Sequence, residues 1–148
     1  MSIPSLPDVA GVSLNGTTYT ISPEDNRAIL ASLGAPPMPE GRAHPVFYYI
    51  ATQVGMGLPV AELCAACSFD VEDGPMMGTS SASFFQPLLV GREYRIRGAI
   101  NGIVRKPSRK LGIMDIVEYT LHLDLADGTR ACSTTNTWIL PRGHDDAH

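Results

Sequence analysis

The sequence predicts an α+β fold, with helices first and an antiparallel meander after them. Three observations carry this. Residues 43–58 hold no Lys, Arg, Asp or Glu, and Val46, Phe47, Tyr49, Ile50 and Val54 fall at helical spacing. From residue 68 onward the period changes to two, most cleanly where Val117, Tyr119, Leu121, Leu123 and Leu125 alternate with Glu118, Thr120, His122 and Asp124. Turn dipeptides, Asn15-Gly16, Asp73-Gly74 and Asp127-Gly128, punctuate the chain.

Composition bounds the rest. A chain of 148 residues matches one domain, and 44% hydrophobic with 18% charged residues supplies a core rather than a disordered coil. The net charge of −4 argues against broad nucleic-acid binding, which needs a basic surface. No apolar run reaches the roughly 18 residues of a membrane span, and residues 1–10 lack a signal-peptide pattern. Cys64 and Cys67 have CxxC spacing, but Cys132 is remote and no His lies near it in sequence. The expectation is reduced, buried thiols, no metal and a cytoplasmic location.

The elements follow in order. Residues 9–22 predict short strands or one irregular edge around Asn15-Gly16. Ser22 caps a helix that opens with Pro23, Glu24 and Asp25 and stops at Gly34. Residues 35–42 are a proline-rich loop. The apolar helix runs from His44 or Pro45 to Gly55, and a short third helix spans residues 60–66. Strands are expected at 76–85, 92–105, the alternating stretch around 117–125, and 129–140. Gly102 suggests a bulge, Pro141 a strand end, and residues 142–148 a frayed tail, as are residues 1–8. The economical packing wraps the sheet around the apolar helix.

Three strings sharpen that layout. "RAHPVFYYIATQVG" (42–55), "SASFFQPLLVGREYRIRGAI" (81–100) and "VEYTLHLDLADGTRACSTTNTWILPR" (117–142) together resemble the MaoC-like hotdog family, in particular the FAS1-like dehydratase N-terminal half-domain. The resemblance implies a single hotdog domain over residues 1–148, with an antiparallel sheet of about five strands around a central helix. It implies acyl-thioester chemistry of the (R)-specific enoyl-CoA hydratase or 3-hydroxyacyl-thioester dehydratase type, with CoA or a carrier protein bearing the substrate and no other cofactor. Active members use an Asp and a His ahead of the central helix, and a backbone N–H at the helix start polarises the thioester carbonyl.

Here the equivalent stretch is "SLGAPPMPEGRAHP" (32–45), with Ala35 where the Asp should stand and no His at the catalytic position. Pro45 has no N–H to offer. The resemblance therefore implies a non-catalytic, pocket-shaping subunit, paired as a homodimer or with a catalytic MaoC-like subunit. An acyl-CoA thioesterase using Asp73 or Glu62, and a ligand-binding or scaffolding hotdog, are the other readings.

Each candidate residue carries two readings. His44 is a ligand-contacting or acid/base residue, or a cap. Asp73, with Asp70 and Glu72, is a carboxylate for acid/base work, or part of a solvated turn. Tyr48 and Tyr49 bind a ligand carbonyl, or pack as aromatics. Arg105, Lys106, Arg109 and Lys110 meet CoA phosphates or an acidic carrier protein, or form an ordinary charged hairpin. Arg95 and Arg97 share a strand face that could meet phosphate or a partner. His122 is expected at the surface, and His144 and His148 in the tail.

Overall fold

A computed structural model describes residues 3–144. Its order is β1 (Ser13–Leu14), β2 (Thr18–Thr20), α1 (Pro23–Ser32), α2 (Phe47–Gly55), α3 (Val60–Ala66), then β3 (Met76–Phe84), β4 (Glu93–Ser108), β5 (Gly112–Asp124) and β6 (Arg130–Gly143). Single 3-10 turns sit at Pro39–Gly41 and Val71–Asp73. The six strands form one antiparallel sheet in the order β1-β4-β5-β6-β3, with β2 also on β4.

The sixth strand comes from the irregular first edge. Asn15-Gly16 does not turn a hairpin; β1 and β2 both pair with β4, with Ser13 opposite Ala99 and Thr18 opposite Arg95. Gly16 sits where the chain crosses the end of α2. A Cβ there would lie 2.2 Å from the Gly55 carbonyl oxygen and 2.6 Å from that of Ile96, so only glycine fits.

The alternating strands do what their period requires. Tyr94, Ile96 and Ile100 of β4, and Val117, Tyr119, Leu121 and Leu123 of β5, are buried on the face that meets α2. From α2 come Phe47 and Ala51, buried one turn apart. Only that face of the helix is covered. Val54 is 67% exposed, so α2 is less buried than its uncharged sequence suggests. Ser22 caps α1 as expected, accepting from the Asp25 N–H at 3.0 Å. Register slips beside Gly102, which makes the expected bulge.

Two boundaries run further than expected. β4 continues through Pro107 to Ser108, and β6 passes Pro141, paired with Met114, to Gly143. Beyond Ile139 no β3 partner remains, so the missing proline N–H faces no ladder. Arg142 is therefore no tail residue. Its Nε donates to Asp115 at 2.9 Å, its Nη atoms donate to the Cys67 and Ser68 carbonyls, and its guanidinium lies over the Phe69 ring. His144 is exposed, and His148 lies outside the described residues. The short stretch after α3 enters the Val71–Asp73 turn.

The three cysteines are free and buried, as expected. Burial, with Cys64 nearby, pushes the Cys67 thiol up to about 11, and burial alone takes Cys132 to about 11. Neither is a thiolate near neutral pH. Among the described residues, no group of three or more His, Cys, Asp or Glu is placed to hold a metal, and no helix is long and apolar enough to cross a membrane.

Candidate functional site

The start of α2 is built by α1. Buried Asn26 accepts the His44 backbone N–H at its Oδ1, 2.9 Å away. The His44 ring turns back on its own helix, and its Nδ1 accepts the Val46 N–H at 3.0 Å. That places the neutral ring's proton on Nε2. The next N–H groups are also spent: Phe47 donates to the His44 carbonyl at 3.1 Å and Tyr48 to the Pro45 carbonyl at 3.0 Å. Pro45 contributes none. His44 thus acts as the helix cap. No N–H of this first turn is left to polarise a carbonyl.

The stretch ahead of it, residues 32–43, holds no Asp and no His. Gly34, at φ +64°, ends α1, and the Ala35 N–H donates to the Leu30 carbonyl. The proline-rich loop is then pinned to the β3–β4 connection: Ala43 N–H donates to Leu88 and Val90 N–H to Gly41. Between α1 and this loop lies a mostly apolar groove of about 470 Å³, lined by Asn26, Leu30, Ala35, Met38 and Val90 among others. Asn26 borders both the groove and the His44 cap.

Tyr48 and Tyr49 reach in different directions. The Tyr48 hydroxyl is 2.9 Å from Ser80 Oγ on β3, and its ring packs edge-on against Phe84 at 6.0 Å between centroids. Tyr49 lies edge-on to Tyr48, and burial, with Tyr48 beside it, raises its phenol above the ordinary tyrosine value.

Beneath α2 is a polar cluster that sequence reasoning did not single out. The buried Tyr119 hydroxyl accepts from Trp138 Nε1 at 2.8 Å and from Gln53 Nε2 at 3.1 Å. On β6, between β5 and β3, Asn136 stands opposite Tyr119 and Ser80. Asn136 is fully buried, and its Nδ2 has no hydrogen-bond partner among the described residues. Such a group is costly unless something accepts from it. The available signal was the phase of β6. Thr134, Asn136 and Trp138 share the parity of buried Cys132 and Leu140, which puts polar atoms on the inward face.

The other candidates are dispersed. Asp73 is exposed at the end of its turn, where Asp70 accepts the Glu72 N–H at 2.9 Å; the acidic cluster caps a turn. Glu62 is exposed in the first turn of α3. Arg105 leaves the basic hairpin altogether. Its guanidinium grips Asp115 with both arms, at 2.7 and 3.0 Å, so its charge is matched inside the sheet. Lys106, Arg109 and Lys110 stay exposed at that hairpin. Arg95 and Arg97 stand on the opposite face of the sheet from α2, as their alternation required.

The chain has the hotdog fold, the architecture of MaoC-like dehydratases. It is similar to the C-terminally truncated HadBC (3R-hydroxyacyl-ACP dehydratase) complex from Mycobacterium tuberculosis, with TM-score 0.65, 16% identity, and 89% of this chain and 97% of that one covered. It is similar to the ChsH1-ChsH2 complex from the same organism, with TM-score 0.71, 11% identity, and coverage of 91% and 87%. A MaoC-like dehydratase from Rhodospirillum rubrum aligns with TM-score 0.62, 14% identity, and coverage of 91% and 94%. No protein-family model matches the chain, and no curated protein matches it in sequence.

Proposed function

We propose that this chain is a pocket-shaping hotdog subunit of an acyl-thioester hydratase or dehydratase, working on CoA or carrier-protein thioesters without supplying the acid/base pair itself. The observation that carries the reading is the start of α2. Every first-turn N–H there is spent on the chain's own atoms, and the stretch ahead of it has no Asp–His pair. No Asp stands in the stretch ahead of His44 to hold a water with it, and the His44 Nδ1 already accepts the Val46 N–H. The apolar groove beside Asn26 offers room for part of an acyl chain instead.

The subunit reading also draws on β3. Among the described residues it pairs only with β6, so one side of this nine-residue strand has no strand beside it. It carries no charge and no proline, the devices that usually protect an edge. Phe84 and Phe85 stand 44% and 62% exposed at its end. A second hotdog sheet, from the same chain or a catalytic subunit, would extend this edge and cover Tyr48 and Ser80. The buried, protonated thiols suit a reducing cytoplasm.

The test is hydration of crotonyl-CoA by the purified chain, followed spectroscopically. The expected result is no turnover by the chain alone, and a stable two-chain complex when it is co-expressed with a hotdog subunit that carries the Asp and His. Vigorous turnover by the isolated chain overturns the reading.

A further inference from the structure

The outer face of the sheet holds a second arrangement that the helix-side reading does not use. Register places its side chains in two adjacent rows. Arg95, Asp124 and Arg130 lie across β4, β5 and β6, and beside them Arg97, His122 and Ser133. Asp124 is the only acid in either row, and its side chain is 4% exposed. Arg130 grips both of its oxygens, at 3.0 and 3.4 Å, and Arg97 Nε lies 3.4 Å from Oδ2. Arg95, directly opposite Asp124, makes no ion pair among the described residues. Two guanidiniums thus hold one carboxylate and a third stands opposite it, in a protein whose net charge is −4.

The surplus charge is not spread on an open surface. Arg95 and Arg97 line a cleft of about 180 Å³, walled by Thr18 of β2 and by Leu125, Ala126 and Gly128 of the β5–β6 turn. That is below the roughly 300–1,000 Å³ of drug-sized sites, and suits a small anion or the end of a larger one. Alternate residues of one strand stand about 7 Å apart on the same face, so one tetrahedral oxyanion between two guanidiniums reaches both. Glu93 also lines the cleft and opposes an anion; it is the one lining carboxylate. Asp124 holds the Arg97 and Arg130 guanidiniums in place beside it. His122 adds no charge there near neutral pH: burial first, then Arg130, lower its pKa, and its Nδ1 is 2.7 Å from Ser133 Oγ.

We infer that this cleft binds a phosphate group, held between Arg95 and Arg97 on the sheet face away from α2. The source is either a free phosphate or the phosphorylated end of a nucleotide-bearing molecule. The two are separated by probes. Inorganic pyrophosphate and adenosine 3′,5′-bisphosphate are titrated into the whole chain at low salt by calorimetry, with sodium chloride at equal ionic strength as the control. Binding of pyrophosphate names a free phosphate. Binding of the bisphosphate at least tenfold tighter names a nucleotide end.

Arg95→Glu is the decisive variant, because Arg95 makes no ion pair among the described residues, so no salt bridge of the sheet is lost with it. It is expected to weaken either probe about tenfold or more, in line with losing a hydrogen bond to a charged group. Arg95→Lys, which keeps the charge and loses the fork, is expected in between. Far-ultraviolet circular dichroism confirms that each variant is folded. No binding of either probe above the chloride control, or equal binding by folded Arg95→Glu, overturns the site. The outcome is independent of thioester turnover, so the two readings fail separately.

Discussion

Asp115 and Asp124 are both buried carboxylates on β5, and each is held by two arginines. Yet they sit in opposite circumstances. Asp115 faces the α2 side and is 0% exposed, while its partners Arg105 and Arg142 are 26% and 5% exposed. Asp124 faces outward, and its partners Arg97 and Arg130 are about half exposed. The first cluster is closed: three polar bonds reach Asp115, and Arg142 spends two further donors on the Cys67 and Ser68 carbonyls just after α3. The second keeps guanidinium donors open to solvent beside Arg95, which has no ion pair among the described residues. The same residue types make a structural clamp where water is excluded and a receptor for anions where it is not.

The comparison can be broken by mutation. Asp115→Ala leaves the buried Arg142 guanidinium and the partly buried Arg105 guanidinium without a counter-charge, and it is expected to cost about 3–5 kcal/mol, read from the urea midpoint. Asp124→Asn leaves guanidiniums that water can still solvate, and about 1 kcal/mol is expected, shrinking further at high salt. Equal losses would show that the outer cluster is as closed as the inner one.

Tyr119→Phe is expected to cost about 1–3 kcal/mol, because Trp138 Nε1 and Gln53 Nε2 both lose their acceptor under α2. Denaturant melts of the variant measure it.

Acid sharpens the contrast most finely. Burial lowers His122 below its ordinary 6.5, with Arg130 adding to the effect. The folded state keeps the ring neutral, so its contribution is present above 6.5 and is lost as pH falls through the lowered value. For Asp115, burial pushes upward, but the bonds and charges of Arg105 and Arg142 outweigh it and hold the carboxyl below 3.8. Its contribution is present above 3.8 and is lost only in stronger acid. Stability measured against pH is therefore expected to fall in two stages, the outer face first. His122→Gln removes the first stage and leaves the second.

Much of this was legible along the chain. Ser22 and Pro23 announced α1, the period of two marked the inward faces of β4 and β5, and Gly102 marked the bulge. These are local effects, each fixed by a few neighbouring residues. That residues 32–43 hold no Asp and no His was also legible, since it is read directly from residue types. The candidate roles were less so. Arg105 looked available because a hairpin of basic residues is usually solvated, and nothing local showed Asp115 across the strand pair. Arg142 looked like a tail because Pro141 usually ends a strand, and only the short reach of β3 made the proline harmless. Asn136 was not singled out, although its parity pointed inward.

The order of elements, the cap of α1 and the inward stripe of each strand were set by the sequence alone, because period and turn chemistry act over a few residues. Partnership was decided only in three dimensions. Which arginine meets which aspartate, which tyrosine reaches β3, and which donor is left buried without an acceptor all depend on strand register. Register aligns residues far apart in the chain, and a one-residue slip would exchange the two faces of the sheet.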